Sequence, residues 1–582
     1  MSQIQWREWG DAAFAEAKSL GRPILLFLQA AWCRYCRRMI SESFADPGVV
    51  ELATAQYVPV CVDKDRRPEV NERYNVGGWP SVCVLTDDGE LVTGNTYLGA
   101  DDLRDFLARV ARYWSENQEH IASTIRARIE REQVDASKRR KRAGQIDALI
   151  VDRVIGAILG DFDTEYGGFG TGQKFPHAES IDFALLHFEQ TGDARLRDVV
   201  EKTLTAMAES PLHDVEEGGF FRYSTTRDWR TPHTEKLLET NVGLLRNFLE
   251  AFQILERKDY RKVAERIVMY LRTHLRHPEL PAYFGSQDSD DDYYARALVQ
   301  RRTLRAPAVD RTLYVNWNAA AASALFKASA VLDDASCARN ATDLVDWLLE
   351  ECYSPGRGMY HYHDGHGRHI LGLLTDQAYM LRALLHATQY TGERRYLEVA
   401  EDLLATLMTK HAAPEGGFFD LPADARGPGG LRRRNVSILE NSLIAEACLR
   451  TYYLTQKDAY LEAARRALLV FTEDYHLYGY FTAGYARAVD LFLHAPVHAV
   501  IVGKRGDAAT DAMVAGATRL YLPSKLVQVL DPSLDEDLLT RFELPREPTP
   551  TAYVHVRRTH VGSATDADQL VALMKKAAEG AR

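Results

Sequence analysis

The 582-residue chain is poor in cysteine, with seven, and nowhere approaches eighteen consecutive apolar residues. So few thiols over such a length exclude a disulfide-stapled scaffold and fit a reducing compartment, so a cytoplasmic location is expected. The missing apolar run leaves no candidate membrane-spanning helix. Residues 1–19 contain acidic side chains and lack the apolar segment of a secretory signal. A net charge of −11 is mild for this length and argues against a surface that coats nucleic acid. The one basic run, residues 138–142, falls between helical segments and reads as a solvated face. Neither nucleic acid nor membrane is therefore an expected partner. The length exceeds what a single core can hold, so several domains are expected.

What is present begins with two matched fragments. Trp32-Cys33-Arg34-Tyr35-Cys36 follows the apolar run 24–28, and Gly77-Gly78-Trp79-Pro80 precedes a second, 82–85. A lone Cys-x-x-Cys also occurs in zinc ribbons. One that leaves a strand and opens a helix, with a proline at a later strand entry, reads as a thioredoxin-like redox site. Strand signals at 57–62 and 82–85, with an edge at 91–99, alternate with helical ones and predict an α/β domain over residues 1–117. Residues 118–144 are charged and helical without a strong apolar face, and read as a connector. No second Cys-x-x-Cys exists, and Cys61 and Cys83 fall in strands as buried thiols, so no zinc site is expected. Cys337, Cys352 and Cys448 lie in helical patterns and read as inert apolar fillers.

Over residues 145–494 helical periodicity takes over, with about twelve segments between 146–159 and 486–493. Between them recur Gly167-Gly168-Phe169, Gly218-Gly219-Phe220, Tyr283-Phe284-Gly285, Gly358-Met359-Tyr360, Gly416-Gly417-Phe418 and Gly479-Tyr480-Phe481. Each lies between two helices, which marks a repeat of about sixty residues. Glycine permits the tight turn, and the aromatic beside it packs against helix ends. Six helix pairs with one loop type predict a closed all-α (α/α)6 toroid of the six-hairpin kind, with an open solenoid as the alternative. Residues 495–582 return to strands and helices and predict a small α/β appendix. Its Gly503-Lys504-Arg505-Gly506 lacks the spacing of a phosphate-binding loop.

On these residues, and on Lys174-Phe175-Pro176, Pro232-His233-Thr234-Glu235-Lys236, Gln287-Asp288-Ser289-Asp290, Trp317-Asn318 and Asn441-Ser442, the chain resembles a family with an N-terminal thioredoxin-like domain fused to a six-hairpin toroid. Its members include the spermatogenesis-associated thioredoxin-domain proteins and bacterial ones without an assigned function. Three departures stand out. Thr234 replaces the family's usual phenylalanine, Arg34 and Tyr35 replace its usual histidine and aromatic, and residues 553–560 lack the paired cysteines that often end the family. The resemblance implies architecture more firmly than reaction.

Two residues between the cysteines place both sulfurs on one helical turn. Cys33 at the helix N-terminus would be the attacking thiolate, stabilised by unpaired N–H groups and by Arg34, Arg37 and Arg38, with Cys36 resolving. Pro80, expected in the cis form, would leave a backbone edge for an extended substrate. For the toroid, the resemblance points to glycosidase and sugar-epimerase clefts. Its candidate groups are His177, His233, Glu235, Lys236, Glu239, Asp288, Asp290, Asp376 and Glu440. Two carboxylates would act on a glycosidic bond, or two histidines on a ring-opened sugar, with Trp229, Trp317 and Tyr223 as stacking faces. The competing reading makes the acidic groups caps: Glu235 and Glu239 at the start of a helix over 236–255, and Asp376 at another helix start. The acidic stretch 287–292 reads as a turn or a cation-binding loop. His361, His363, His366 and His369 form a solvated loop rather than a metal site. No cofactor or metal is expected. The expected function is thiol–disulfide exchange with a protein partner through Cys33 and Cys36, joined to a toroid that binds a substrate or partner. The alternatives are a carbohydrate-active enzyme working on a small sugar ligand in the cleft, and a non-enzymatic scaffold.

Overall fold

A computed structural model describes residues 3–140, 144–425, 427–546 and 549–581, with side chains masked at 132–140 and 581. The basic run 138–142 thus has its side chains, and positions 141–142 entirely, outside the described residues. The chain divides into two units. The first is Met1–Arg142 with two short stretches from further along, Gln287–Asp290 and Ala423–Asn435, and the second is the remainder.

In the first unit, strands β1 (Ile24–Gln29), β2 (Val58–Asp63), β3 (Ser81–Leu85) and β4 (Leu91–Asn95) form a sheet of order β2-β1-β3-β4. β1 runs parallel to β2 and antiparallel to β3. Residues 24–28 are wholly buried, as a central strand covered on both faces must be. Helices α1 (Asp11–Leu20), α2 (Arg34–Arg38), α3 (Pro47–Gln56), α4 (Pro68–Tyr74) and α5 (Ala100–Glu116) surround the sheet, and α6 (Gln118–Arg140) follows. The Tyr74 hydroxyl donates to Gly89 O at 2.6 Å and accepts the Gly430 N–H at 2.6 Å. Arg433 pairs with Glu90 at 2.6 Å. These contacts hold the 423–435 stretch in this unit.

The second unit opens with α7 (Ala148–Asp161), α8 (Ala178–Thr191), α9 (Ala194–Glu209), α10 (Leu238–Leu255) and α11 (Lys258–Tyr270). Two short turns follow, α12 (Asp291–Tyr294) and α13 (Leu298–Arg301). Then come α14 (Val315–Leu332), α15 (Ala335–Cys352), α16 (Leu374–Thr391), α17 (Arg394–Lys410), α18 (Ile438–Thr455), α19 (Asp458–Leu469) and α20 (Ala483–Leu493). Helices α8, α10, α14, α16, α18 and α20 each pack on the next, and α20 packs back on α8. That closes an inner ring. Helices α9, α11, α15, α17 and α19 back their inner partners from outside, and α7 backs α20. The closed toroid, not the solenoid, is the structure. Alanine-rich α14 is buried on nearly every face, which lets neighbouring helices approach closely. The α8–α20 seam is polar: Ser180 Oγ donates to Tyr480 O at 3.1 Å and Gln190 to Asp490 at 3.1 Å, each across 300 residues.

The repeated glycine–aromatic turns are small hairpins, pairing Phe162 with Phe169, His213 with Phe220, Arg276 with Tyr283 and Ala412 with Phe418. The sixth, Tyr475–Thr482, is a tight helical turn instead. At Gly218, φ is 81° and a Cβ would lie 2.5 Å from Arg266 O, so only glycine fits. Four hairpins are held by one device. An amide in the first turn of an inner helix accepts the N–H of one hairpin residue and donates to that residue's carbonyl and to the helix N-cap carbonyl. For Asn318 the distances are 2.8 Å to Tyr283 N, 3.0 Å to Tyr283 O and 2.8 Å to Tyr314 O. Asn241 does the same for Phe220, Gln377 for Met359 and Asn441 for Phe418.

The C-terminal part is more than an appendix. Strands Val497–Val502, Leu526–Leu530, Thr551–Val556 and Thr559–Ala564 form a second sheet, with helices α21 (Ala508–Arg519), α22 (Glu536–Arg541) and α23 (Ala567–Ala581). Its first strand runs parallel to the second and antiparallel to the third, and the third pairs with the fourth. Order and direction repeat those of β1–β4. Asp507 occupies the N-cap of α21, where Cys33 stands before α2, and Thr510 the position of Cys36. Pro550 directly precedes a strand, as Pro80 does, but Trp79–Pro80 is the single cis bond among the described residues. This second sheet closes one end of the ring. Gln389 on α16 accepts the Val527 N–H at 3.2 Å, and Gln528 donates to Leu454 O on α18 at 3.1 Å. The C-terminal ends of the inner helices are thereby covered, and their N-terminal ends form the mouth.

Replacing Asn318 by leucine keeps the branched shape but strands the Tyr283 N–H and removes the donor to the Tyr283 carbonyl. We expect a loss of at least about 3 kcal/mol in urea unfolding, and a change below about 1 kcal/mol would show that the hairpin does not need its clamp. Burial also holds His213, stacked on Phe220 at 4.7 Å, down at about 4. The unfolded chain binds that proton from about pH 6.5 downward, so folding stability should fall as pH drops from there toward 4. His213→Phe should flatten this dependence, and an unchanged slope would remove His213 as its source.

Candidate functional site

The first unit carries the dithiol. β1 delivers the chain to Cys33, which takes an extended backbone conformation as N-cap of α2, and its Sγ accepts the Cys36 N–H at 3.2 Å. The Cys33 thiol also lies 3.6 Å from Trp79 O, the carbonyl before Pro80. Cys36 is fully buried, and burial together with the neighbouring Cys33 pushes its thiol far above the usual range. The two sulfurs are therefore unequal. Lys64 reaches over the rings of Trp79 (4.8 Å) and Trp32 (5.4 Å), while Trp32 donates to Asp65 at 2.7 Å. The arginines differ from expectation: Arg38 pairs with Glu42 at 2.9 Å and Arg37 with Asp288 at 3.0 Å. The 287–290 stretch thus belongs with the dithiol unit, and Asp288 and Asp290 lie there rather than among the ring's own candidates. Cys61 is half-buried rather than buried, while Cys83, Cys337, Cys352 and Cys448 are buried. Burial pushes all five up to about 12, which makes them inert.

At the ring mouth the candidates separate into structural and accessible groups. Lys236 is wholly buried, donates to Asp214 at 2.6 Å and Gly218 O at 2.9 Å, and lies over the rings of Tyr270, Tyr294 and Phe221. Burial pulls it down to about 8, yet it is a strut between hairpin and helix. Glu235 is no helix cap, since the helix starts only at Leu238. It accepts from Arg222 at 2.9 Å and lies 3.6 Å from His233. Burial would raise its carboxyl, but His233 and Arg222 outweigh it and hold Glu235 low. Asp376 is not a cap either: fully buried, it meets His361 Nδ1 at 3.0 Å and accepts the Asn316 N–H at 3.2 Å. His361 is correspondingly buried, not solvated. Trp229 is buried and donates to Tyr166 O, and Trp317 packs on Tyr314 at 4.7 Å.

The groups that remain accessible sit on loops and first turns. His233 stacks on Tyr223 at 4.6 Å, and Tyr223 on Phe175 at 4.5 Å. His177, in left-handed backbone conformation just before α8, is surrounded by Phe169, Phe175, Tyr480 and Phe481. Burial and the charge of Lys174 push it down to about 4, so it is neutral. Phe481 is 55% exposed. Glu440 accepts from Ser437 and is raised by burial. With Glu239, and with Glu179 that sequence reasoning passed over, it faces the Tyr379 phenol, which burial and these carboxylates push up. Sequence reasoning also passed over Tyr379, Arg382 and His386. Their signal was available: Tyr379, Arg382 and His386 stand at spacings of three and four amid the apolar middle turns of α16. Among the described residues no group of three or more His, Cys, Asp or Glu is placed to hold a metal ion, the acidic stretch 287–292 included. No described helix is long and apolar enough to cross a membrane.

Comparison with known proteins places the dithiol region beside a described family. The Thioredox_DsbH family, described as a protein of unknown function, DUF255, matches residues 1–132. Spermatogenesis-associated protein 20 of Mus musculus is 30% identical over 312 residues, 49% of this chain and 39% of that protein. The chain thus spans about two fifths of the length of that relative. Thioredoxin H-type of Oryza sativa subsp. indica is 32% identical over 106 residues, 17% of this chain and 77% of that one. Among solved structures, cellobiose 2-epimerase from Spirochaeta thermophila DSM 6192 aligns with a TM-score of 0.49 at 13% identity, covering 62% of this chain and 98% of that chain. With the dithiol at the head of α2 and the six inner helices closed on one another, the chain combines a region, residues 1–132, that matches the Thioredox_DsbH family with a helical (α/α)6 toroid.

Proposed function

We propose that the first unit carries out thiol–disulfide exchange with protein partners, Cys33 attacking and Cys36 resolving, and that the ring binds a small ligand at its mouth. The observation that carries the exchange reading is the inequality of the two sulfurs. Both sulfurs are largely buried, but Cys33 Sγ accepts a helix N-terminal N–H, which favours its thiolate, whereas Cys36 has no exposure at all and is held protonated. The Cys33 thiolate attacks a partner disulfide, forming a mixed disulfide and releasing one partner thiolate. Cys36, losing its proton as it attacks, then bonds to Cys33 and expels the second partner thiol. Two electrons and two protons pass from the dithiol to the partner, and a reducing thiol reverses the sequence on the next turnover. The backbone edge at Trp79 supports an extended partner segment beside Cys33.

A second reading, a carbohydrate-active ring, is favoured by the aromatic faces at the mouth: the Phe175–Tyr223–His233 stack and the exposed Phe481.

Cys33→Ser should lower disulfide reduction of a protein reporter by at least about a hundredfold, and Cys36→Ser should accumulate the mixed disulfide. At pH 7 iodoacetamide should modify Cys33 first and leave Cys36 unreacted. Equal alkylation of both thiols, or full reductase activity in Cys33→Ser, would remove the exchange reading. For the second reading, a cello- or manno-oligosaccharide should raise the unfolding temperature of Cys33→Ser, and Phe481→Ala should weaken that binding by about tenfold. Absence of any shift with sugars would set the carbohydrate reading aside while leaving thiol exchange untouched.

A further inference from the structure

Inner helix α16 presents Tyr379, Arg382 and His386 along one face, at spacings of three and four. That face looks onto the ring axis. Tyr379 feels the carboxylates of Glu179, Glu239 and Glu440, and His386 feels Arg450, Arg246 and Glu446 from the other inner helices. The charged groups around them are mutually engaged. Arg246 pairs with Asp182 at 2.8 Å and Glu250 at 3.2 Å, Lys327 with Glu250 at 3.4 Å, Arg450 with Glu446 at 2.9 Å, and Arg487 with Asp182.

Arg382 is the exception. Its guanidinium comes no closer than 3.8 Å to Glu179 and 3.8 Å to Glu446. Among the described residues no hydrogen bond reaches Arg382 or Tyr379, and the buried Nδ1 of His386 has no partner. Arg246, Lys327, Arg450 and Arg487 already occupy Asp182, Glu250 and Glu446, which leaves Arg382 with only its two longer approaches. An interior guanidinium without a hydrogen-bonded acceptor is costly, and a fork of five donors matches one thing best, an oxyanion with two acceptor oxygens. The Arg382 side chain stays 16% exposed, so solvent reaches it.

We propose that Tyr379, Arg382 and His386 bind the oxyanion of a small ligand, a phosphate monoester or a carboxylate, seated on the ring axis below the mouth. Arg382 supplies the charge-assisted pair, and the Tyr379 hydroxyl and the neutral imidazole of His386 complete the oxygen shell. Glu179, Glu239 and Glu440 at the mouth repel a second negative group and accept hydrogen bonds from hydroxyls. The ligand class that fits is a polyhydroxylated small molecule with one anionic end, such as a sugar phosphate or a sugar acid. The inference rests on the ring alone and not on thiol exchange, so the reductase assay and the binding test fail independently.

The test is calorimetric titration of the full chain with glucose 6-phosphate, glucuronate, inorganic phosphate and glucose. At least one acidic sugar should bind, with glucose weaker by at least about tenfold. Binding of glucose 6-phosphate with competition by inorganic phosphate identifies the phosphate source, and binding of glucuronate alone identifies the carboxylate. Arg382→Gln should weaken the acidic sugar by at least about fiftyfold with little fall in the unliganded unfolding temperature, because Arg382 gives up only two long ion pairs, at 3.8 Å, and no hydrogen bond. If that variant does not fold, His386→Gln serves instead, with an expected loss of about five- to tenfold. Failure of every anionic probe to bind, equal binding of glucose and the acids, or undiminished binding in both variants would overturn the proposal.

Discussion

The amide clamp between hairpin and inner helix is the contact on which the second unit depends. Asn241, Asn318, Gln377 and Asn441 each accept a hairpin N–H that would otherwise be buried unpaired and donate to a hairpin carbonyl and an N-cap carbonyl. A carboxylate could not donate, and a hydroxyl could not reach all three groups; only an amide offers one acceptor and two donors in a fixed plane. Because each clamp sits in the first turn of its helix, every clamped hairpin stands at the N-terminal end of the ring. Loops that carry His177, His233 and Phe481 are therefore gathered at one mouth, while the second sheet occupies the opposite end.

Much of this architecture was legible in the residues. The dithiol, its strand–helix setting and Pro80 follow from local chemistry, since a thiol at a helix N-cap and a proline at a strand entry are each specified within a few residues. The six-fold repeat was legible because glycine has to recur wherever the backbone crosses into positive φ. Less legible were contacts set by distant residues. Glu235 looked like a helix cap and is instead bonded to Arg222, and Asp376 looked like another and is gripped by His361. The repeated strand order in the C-terminal part escaped because its cysteines are gone: Asp507 and Thr510 keep the cap and the buried position without sulfur. The α16 stripe escaped because attention to acid and histidine clusters passes over a lone arginine.

The two units manage charge by different means. Around the dithiol, Arg37 and Arg38 are neutralised by Asp288 and Glu42, which leaves the N-terminal N–H groups of α2 as the direct support for the Cys33 sulfur. Along the ring axis, charges are paired where structure needs them and left open at Arg382. An interior guanidinium held only by two long ion pairs adds little to the empty ring, so its presence makes sense where a ligand completes it.

The α8–α20 seam sets a condition on how the ring is made. Helix α8 can bury its open flank only when residues three hundred positions later arrive, and closing a chain loop of that length costs about 5 kcal/mol in entropy. During synthesis the five earlier inner helices therefore form an incomplete arc, with apolar surface exposed on either edge. Substitutions along the seam, at Ser180, Gln190 or Asp490, fall on the last contacts to form. Their effect should appear less in the finished ring than in the yield of chains that reach it, because an arc that waits too long for α20 offers its edges to another arc.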